Sequence, residues 1–186
     1  EAYIELVTVH KIEMSTKRRK EITQNLLRFC QQRQRADLRP VDLNNVVREA
    51  LSLTESQIKG EGITLELDLA PPVRVTADPG QISQVLLALM SNARTAMLKT
   101  KAKVLTVRTG EKDGKGFLAV EDTGKGILPE HRDRIFEPFF TTKDVWSNVG
   151  LGLSVAYRII SEAGGTIDMQ TEVGKGSCFT VWLTKA

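Results

Sequence analysis

Apolar residues recur along the chain at two different periods, and the alternation between them predicts the order of elements. After Asp42, apolar positions at Leu43, Val46, Val47, Ala50, Leu51 and Ile58 have the three-and-four spacing of a helix with one face toward a core, ended by the breakers Gly60 and Gly62. Residues 63–69 alternate strictly, which predicts a half-buried strand, and Pro71-Pro72 turns the chain into a shorter strand over 73–77. Asp78-Pro79 supplies a cap and a first-turn proline for a second helix that buries Ile82, Val85, Leu86, Leu89, Ala93 and Met97. Ala88, Asn92, Thr95 and Lys99 fall on a different face of it. Residues 104–111 and 117–122 read as neighbouring strands joined by the Asp113-Gly114 turn. A third helix, with Leu151, Leu153, Val155, Ala156, Ile159 and Ile160 as its stripe, ends at Gly164-Gly165, and residues 166–171 and 177–183 form a hairpin around Gly174-Lys-Gly176. The expected fold class is α/β: a mixed, roughly five-stranded sheet covered on one face by three helices, in two layers.

Ahead of this unit, a helix runs from a cap at Ser15 or Thr16 to about Arg35, with Ile22, Leu26, Leu27, Phe29 and Cys30 as its stripe. One helix cannot hide such a stripe alone, so a partner helix is expected, plausibly from a second chain. Residues 1–14 read equally as a strand or as the end of a longer helix.

Composition narrows the class. With 186 residues, 41% hydrophobic and 26% charged, the chain can bury one core and carry an appended element. A net charge of +3 is too mild to argue for nucleic acid, and the cations concentrate before residue 40, as on a solvated helix face. Cys30 and Cys178 lack metal-type spacing and read as core thiols in a reducing, cytoplasmic compartment. No apolar run approaches the roughly 20 residues of a membrane span. The chain begins at Glu1, so it reads as a fragment whose parent could carry a membrane anchor.

The candidate chemistry lies between Asp122 and Ala156. Asp122 directly follows the apolar run Phe117-Leu-Ala-Val120, which puts a carboxylate at a strand end, facing a cleft, with Gly124 and Gly126 beside it. It is either an acceptor for a base amino group or an ordinary turn residue. A second glycine cluster, Gly150-Leu-Gly-Leu153, opens the third helix, whose amino end suits an anion. Asn92 is either a polar residue at the edge of the core or an amide oxygen that completes the shell of a Mg²⁺ ion also holding phosphates. Phe136, Phe139 and Phe140 form either a hydrophobic latch or simple core. From Thr141 to Val149 no apolar period recurs, and Lys143, Asp144 and Ser147 are polar, as in a flap over a site.

These segments resemble a known family. Asn92 in Val85-Leu-Leu-Ala-Leu-Met-Ser-Asn-Ala93, then DTGKGI, FEPFFTTK and GLGLSVA, look in order and spacing like the N, G1, F and G2 boxes of the catalytic ATP-binding domain of bacterial sensor histidine kinases. The resemblance covers about residues 41–185. It implies the Bergerat ATP-binding fold, with ATP between the helices and a lid. By that similarity Asn92 binds Mg²⁺; Asp122 takes the adenine amino group; Gly124, Gly126 and Ile127 form the nucleotide-facing turn. Thr142, Lys143 and the backbone of Gly150, Leu151, Gly152 and Leu153 hold phosphates, and Ser177 sits near the adenine. Asn92 and Lys143 are then the catalytic candidates. Residues 1–40 resemble part of the dimerisation and phosphoacceptor hairpin, and residues 41–186 the catalytic domain. The implied partners are ATP, a phosphoacceptor helix, a response regulator receiver domain and a second subunit.

Three features depart from the family pattern. No histidine followed by an acidic residue lies on a first hairpin helix: His10 precedes Lys11, and His131 follows Pro129. The chain is therefore not expected to phosphorylate itself. Ala88 stands one turn before Asn92 where a polar residue is usual, and Asn148-Val-Gly150 replaces the commoner Gly-Thr-Gly. Two rival readings follow: a degenerate ATP-binding or docking module, and an ATP-hydrolysing machine of the gyrase B, MutL or heat-shock chaperone type, which usually carries a glutamate where Ala88 stands.

Overall fold

A computed structural model of the chain describes residues 36–142 and 150–186. The first helix, α1 (Leu43–Gly60), starts where the sequence places its cap: Asp42 accepts a hydrogen bond from the Asn44 backbone N–H at 2.9 Å. It ends in a left-handed Gly62 (φ +68°), with the Ile63 N–H donating back to the Ile58 carbonyl. In α2 (Pro79–Ala96), Asp78 accepts from Gly80 and Gln81 while Pro79 occupies the first turn. The six apolar positions expected on the buried face of each of these helices are all buried. The third helix, α3 (Gly152–Glu162), has no side-chain cap at its start and closes through Gly164 (φ +72°) and the Gly165 N–H bond to Ile160.

The helices cover one face of a mixed five-stranded sheet. Its spatial order is β2 (Thr64–Leu69), β4 (Val104–Lys112), β5 (Lys115–Asp122), β7 (Gly176–Thr184) and β6 (Thr166–Glu172). Only the β2/β4 pair is parallel. The β4–β5 connection takes positive φ at Asp113 (52°) and Gly114 (75°), as a tight hairpin turn requires. Leu105, Val107, Leu118, Val120, Phe179, Val181 and Leu183 point from the sheet into the core under the helices.

Three local expectations differ from what is found. Residues 39–42 form a short strand, β1 (Arg39–Asp42), paired antiparallel with β3 (Arg74–Ala77) in a separate two-stranded ribbon, so the strand over 73–77 does not belong to the main sheet. Pro40, with no N–H to give, is tolerated because the ribbon has free edges. The strict alternation of 63–69 implied a half-buried strand, and Ile63, Leu65 and Leu69 do face the core, but β2 is an edge strand and Leu67 of the same parity is exposed. Cys178 is not a core thiol. It is half-buried on the uncovered face of the sheet, where Arg108 Nη2 approaches its sulfur at 3.6 Å. Residues 1–35, including Cys30 and the expected first helix, lie outside the described residues.

A buried polar contact joins the layers. Asn44, near the start of α1, accepts from the Thr109 hydroxyl of β4 and donates to the Ala70 carbonyl at 2.8 Å; both side chains are almost fully buried. Thr109→Val would leave the Asn44 oxygen in the core without a donor. It is expected to destabilise the fold by about 1–3 kcal/mol, measured by urea unfolding.

Candidate functional site

The site begins with a row of register partners across the sheet. Thr171 of β6 pairs with Ser177 of β7, Ser177 with Asp122 of β5, and Asp122 with Leu105 of β4. Partners in antiparallel strands share a face, here the helix-covered one, so a threonine, a serine and a carboxylate stand side by side at the edge of the core. Asp122 is 5% exposed. Its Oδ1 accepts from the Gly124 N–H at 2.7 Å, and the carboxylate also accepts from the Ser177 backbone N–H. Burial is the larger influence and pushes its pKa up to about 6 despite those two donors; the nearby Glu121 charge adds in the same direction.

The loop after Asp122 is sewn to two neighbours. Lys125 N–H donates to the Ala96 carbonyl at the end of α2, and Gly174 N–H donates to the Lys125 carbonyl. A Cβ on Gly124 would fall 2.7 Å from the Ala96 Cβ, and one on Gly126 (φ +69°) would fall 2.2 Å from the Glu172 carbonyl oxygen. Both glycines are thus demanded by contacts within the protein, whatever ligand comes near. Ile127 packs against the core, and its N–H donates to the Thr171 hydroxyl at 3.0 Å.

Ala96, against which this loop rests, lies one helical turn beyond Asn92. Further back along the same face of α2, a Cβ added to Gly152 would stand 4.0 Å from Asn92 Nδ2 and 3.9 Å from the Ala88 Cβ. The small side chain at Ala88 therefore serves the approach of α3. Asn92 thus lies beside Gly152 at the start of α3, and the Asp122–Gly126 loop rests on Ala96 one turn further along α2. Among the described residues no group of three or more His, Cys, Asp or Glu could hold a metal ion. A single amide at Asn92 suits Mg²⁺, which takes one or two protein oxygens and completes its shell with waters and phosphates.

The three phenylalanines separate. Phe136 stacks near Tyr157 and Phe179, with ring centroids 5.2 and 6.5 Å away, and belongs to the core rim. Phe140 lies against His131 and beneath the Arg134 guanidinium. Phe139 is exposed with φ +67°, a left-handed conformation uncommon for a large side chain. Its N–H donates to the Gly150 carbonyl, and Gly150 (φ +70°) packs so tightly on residues 139–140 that a Cβ there would meet the Phe140 carbonyl at 2.6 Å. Thr142 is exposed. Lys143, and the flap expected around Asp144, Ser147 and Asn148, lie outside the described residues.

Thr171 was not visible as a site residue in the sequence. It closes a strand, and only the register of β6 on β7 brings it to Ser177 and Ile127. The available signal was the parity of the hairpin, which puts 171 and 177 on the same side.

A family profile described as histidine kinase-, DNA gyrase B- and HSP90-like ATPase matches residues 77–186. The chain belongs to this ATPase family. Within it, the chain is homologous to sensor histidine kinases. It is 38% identical over 149 residues to the sensor histidine kinase ZraS of Escherichia coli (strain K12), covering 78% of this chain and 31% of that protein. Full-length ShkA in complex with AMPPNP superposes with a TM-score of 0.72 at 30% identity, over 82% of this chain and 32% of that one. Histidine kinase ThkA in complex with the response regulator TrrA gives a TM-score of 0.77 at 26% identity, over 92% and 49%. The chain spans about a third of the length of the first curated relative, and the expected ATPase-family fold is borne out. Among the described residues no helix is long and apolar enough to cross a membrane.

The raised pKa of Asp122 has a definite sign for stability. The folded protein holds this proton more tightly than the unfolded chain, whose value is near 3.8. The cost of burying the charge is therefore absent at low pH, grows as pH rises from about 4 to about 6, and persists above it. Asp122→Asn is expected to stabilise the unliganded fold at pH 7 by up to about 3 kcal/mol and to flatten that slope, read from unfolding midpoints across pH 4 to 8.

Proposed function

We propose that this chain is the ATP-binding catalytic part of a sensor histidine kinase, which positions Mg–ATP for transfer of its γ-phosphoryl group to a histidine on a separate helix. The observation that carries the reading is the Asp122 carboxylate: it is buried beside Ser177 with no cation paired to it among the described residues, at the foot of a loop fastened to the helix that bears Asn92. A buried charge of that kind is costly unless a ligand donor meets it, and an adenine amino group supplies one. Gly124, Gly126 and Ile127 fix the loop that carries it. The start of α3, free of a side-chain cap, turns its backbone N–H groups toward phosphates, with Gly150, Leu151, Gly152 and Leu153 as the contact backbone. Thr142 and Lys143 contact the phosphates from the adjoining segment. Asn92 offers its amide oxygen to Mg²⁺, which supplies charge neutralisation at the phosphates when bound.

The protein's share of the chemistry is positioning. The base is held at the sheet and the triphosphate is aimed at an external imidazole, with little covalent work asked of any side chain. Residues 1–40 are assigned to the dimerisation and phosphoacceptor region and 41–186 to the catalytic domain. Phosphate relay to a response regulator and assembly as a homodimer complete the reading. The ThkA complex with its response regulator supports the first of these for a relative of the same fold.

Calorimetric titration with a non-hydrolysable ATP analogue tests the site directly. Binding is expected to strengthen with Mg²⁺, to weaken at least about tenfold (1.4 kcal/mol) in Asp122→Asn, and to lose its Mg²⁺ dependence in Asn92→Ala. Affinity should also decline below about pH 6, where Asp122 gains its proton. No binding at millimolar nucleotide would overturn the reading.

A further inference from the structure

The hydrogen-bonding capacity of Thr171 fixes the polarity of its neighbour. A threonine hydroxyl has one proton to give and two lone pairs to offer. Thr171 Oγ1 lies 3.0 Å from each of three atoms: the Ile127 backbone N, the Gly176 carbonyl oxygen and Ser177 Oγ. The Ile127 N–H only donates, so it takes one lone pair. The Gly176 carbonyl only accepts, so it takes the proton. Ser177 is left with the second lone pair, and must give its own single proton to Thr171. The opposite arrangement, Thr171 donating to Ser177, would set the Gly176 carbonyl oxygen against a hydroxyl lone pair at 3.0 Å. Ser177 therefore has only lone pairs for any other group that reaches it. Its other register partner, Asp122, is an acceptor as well once ionised.

We propose that Thr171 is a positioning residue for base choice: by consuming the Ser177 proton, it turns the Ser177–Asp122 pair into an all-acceptor surface. Such a surface takes a purine with an exocyclic amino group and rejects one that presents a carbonyl at the same place. The inference rests on the nucleotide-site reading above and adds to it a residue that acts through Ser177. Thr171 also carries structural work, because its hydroxyl ties the Asp122–Ile127 loop to the β6–β7 turn. That work affects all nucleotides alike, whereas the polarity of Ser177 affects only their ratio.

The test compares binding of ATP and inosine triphosphate, in which a carbonyl replaces the amino group, at pH 8 in wild type, Thr171→Val, Thr171→Ser and Ser177→Ala. Wild type should prefer ATP by roughly tenfold or more, since a site of paired acceptors leaves a carbonyl unmatched. Thr171→Val frees the Ser177 proton for that carbonyl and should reduce the preference severalfold, while Thr171→Ser should keep it. Ser177→Ala should also reduce the preference, and serves if Thr171→Val does not fold. Equal loss of both nucleotides in Thr171→Val, with the preference unchanged there and in Ser177→Ala, would overturn the inference and leave the nucleotide site standing. Failure of wild type to bind either nucleotide would overturn the site reading itself.

Discussion

A buried carboxylate that pairs with no cation among the described residues is the constraint around which this domain is arranged. Asp122 can remain at the end of β5 only if backbone N–H groups are delivered to it at hydrogen-bond distance, and two different strands' worth of geometry does this. Gly124 must turn the chain back immediately, within contact of Ala96, and β7 must come close enough for Ser177 to donate. That approach is why position 176 is glycine: at φ +126°, a Cβ there would fall 1.8 Å from the Asp122 carbonyl oxygen. The loop geometry, the glycine spacing and the contact with α2 are thus consequences of one electrostatic requirement.

The same requirement links stability to function. The fold carries an unfavourable term at neutral pH that a hydrogen-bond donor from a ligand in the proposed site would relieve. Around it, side-chain and backbone contacts tie the described helices together. Arg94 reaches from α2 to Glu61 with two nitrogens, which locks the helix bearing Asn92 to the end of α1, and α3 rests on α2 through Ala88 and Gly152. In the proposed role of holding a nucleotide in one orientation these ties matter, because misplacement of the reacting atoms costs rate directly.

How much of this was legible in the sequence depended on whether the signal was local. Asp42, Asp78-Pro79 and Gly62 announce helix ends through chemistry within four residues of themselves, and the helices are where those residues put them. Asp122 could be placed at a strand end because the apolar run before it is unbroken. Gly126 was read as an approach for a ligand, yet its first obligation is to the Glu172 carbonyl, forty-six positions away, which no local pattern reveals. β1 is four residues long and contains a proline, too little for a period to register. Cys178 was assigned to the core, although Phe179, Val181 and Leu183 occupy the inward parity of β7 and leave 178, 180 and 182 outside. Thr171 needed register, which a sequence holds only implicitly.

The position of β7 in the sheet has a consequence for how the protein comes into being. The last strand in the chain is an interior strand in space, bonded to β5 on one side and β6 on the other. Until residues 176–184 leave the ribosome, β5 has an open edge, Asp122 lacks the Ser177 donor, and β6 has no strand to pair with. Insertion of β7 between β5 and β6 therefore completes both the Thr171–Ser177–Asp122 row and the middle of the sheet in one step. Loop closures this long are slow. A nascent chain stalled short of that strand would hold both glycine clusters and still lack the Ser177 contacts to Asp122 and Thr171.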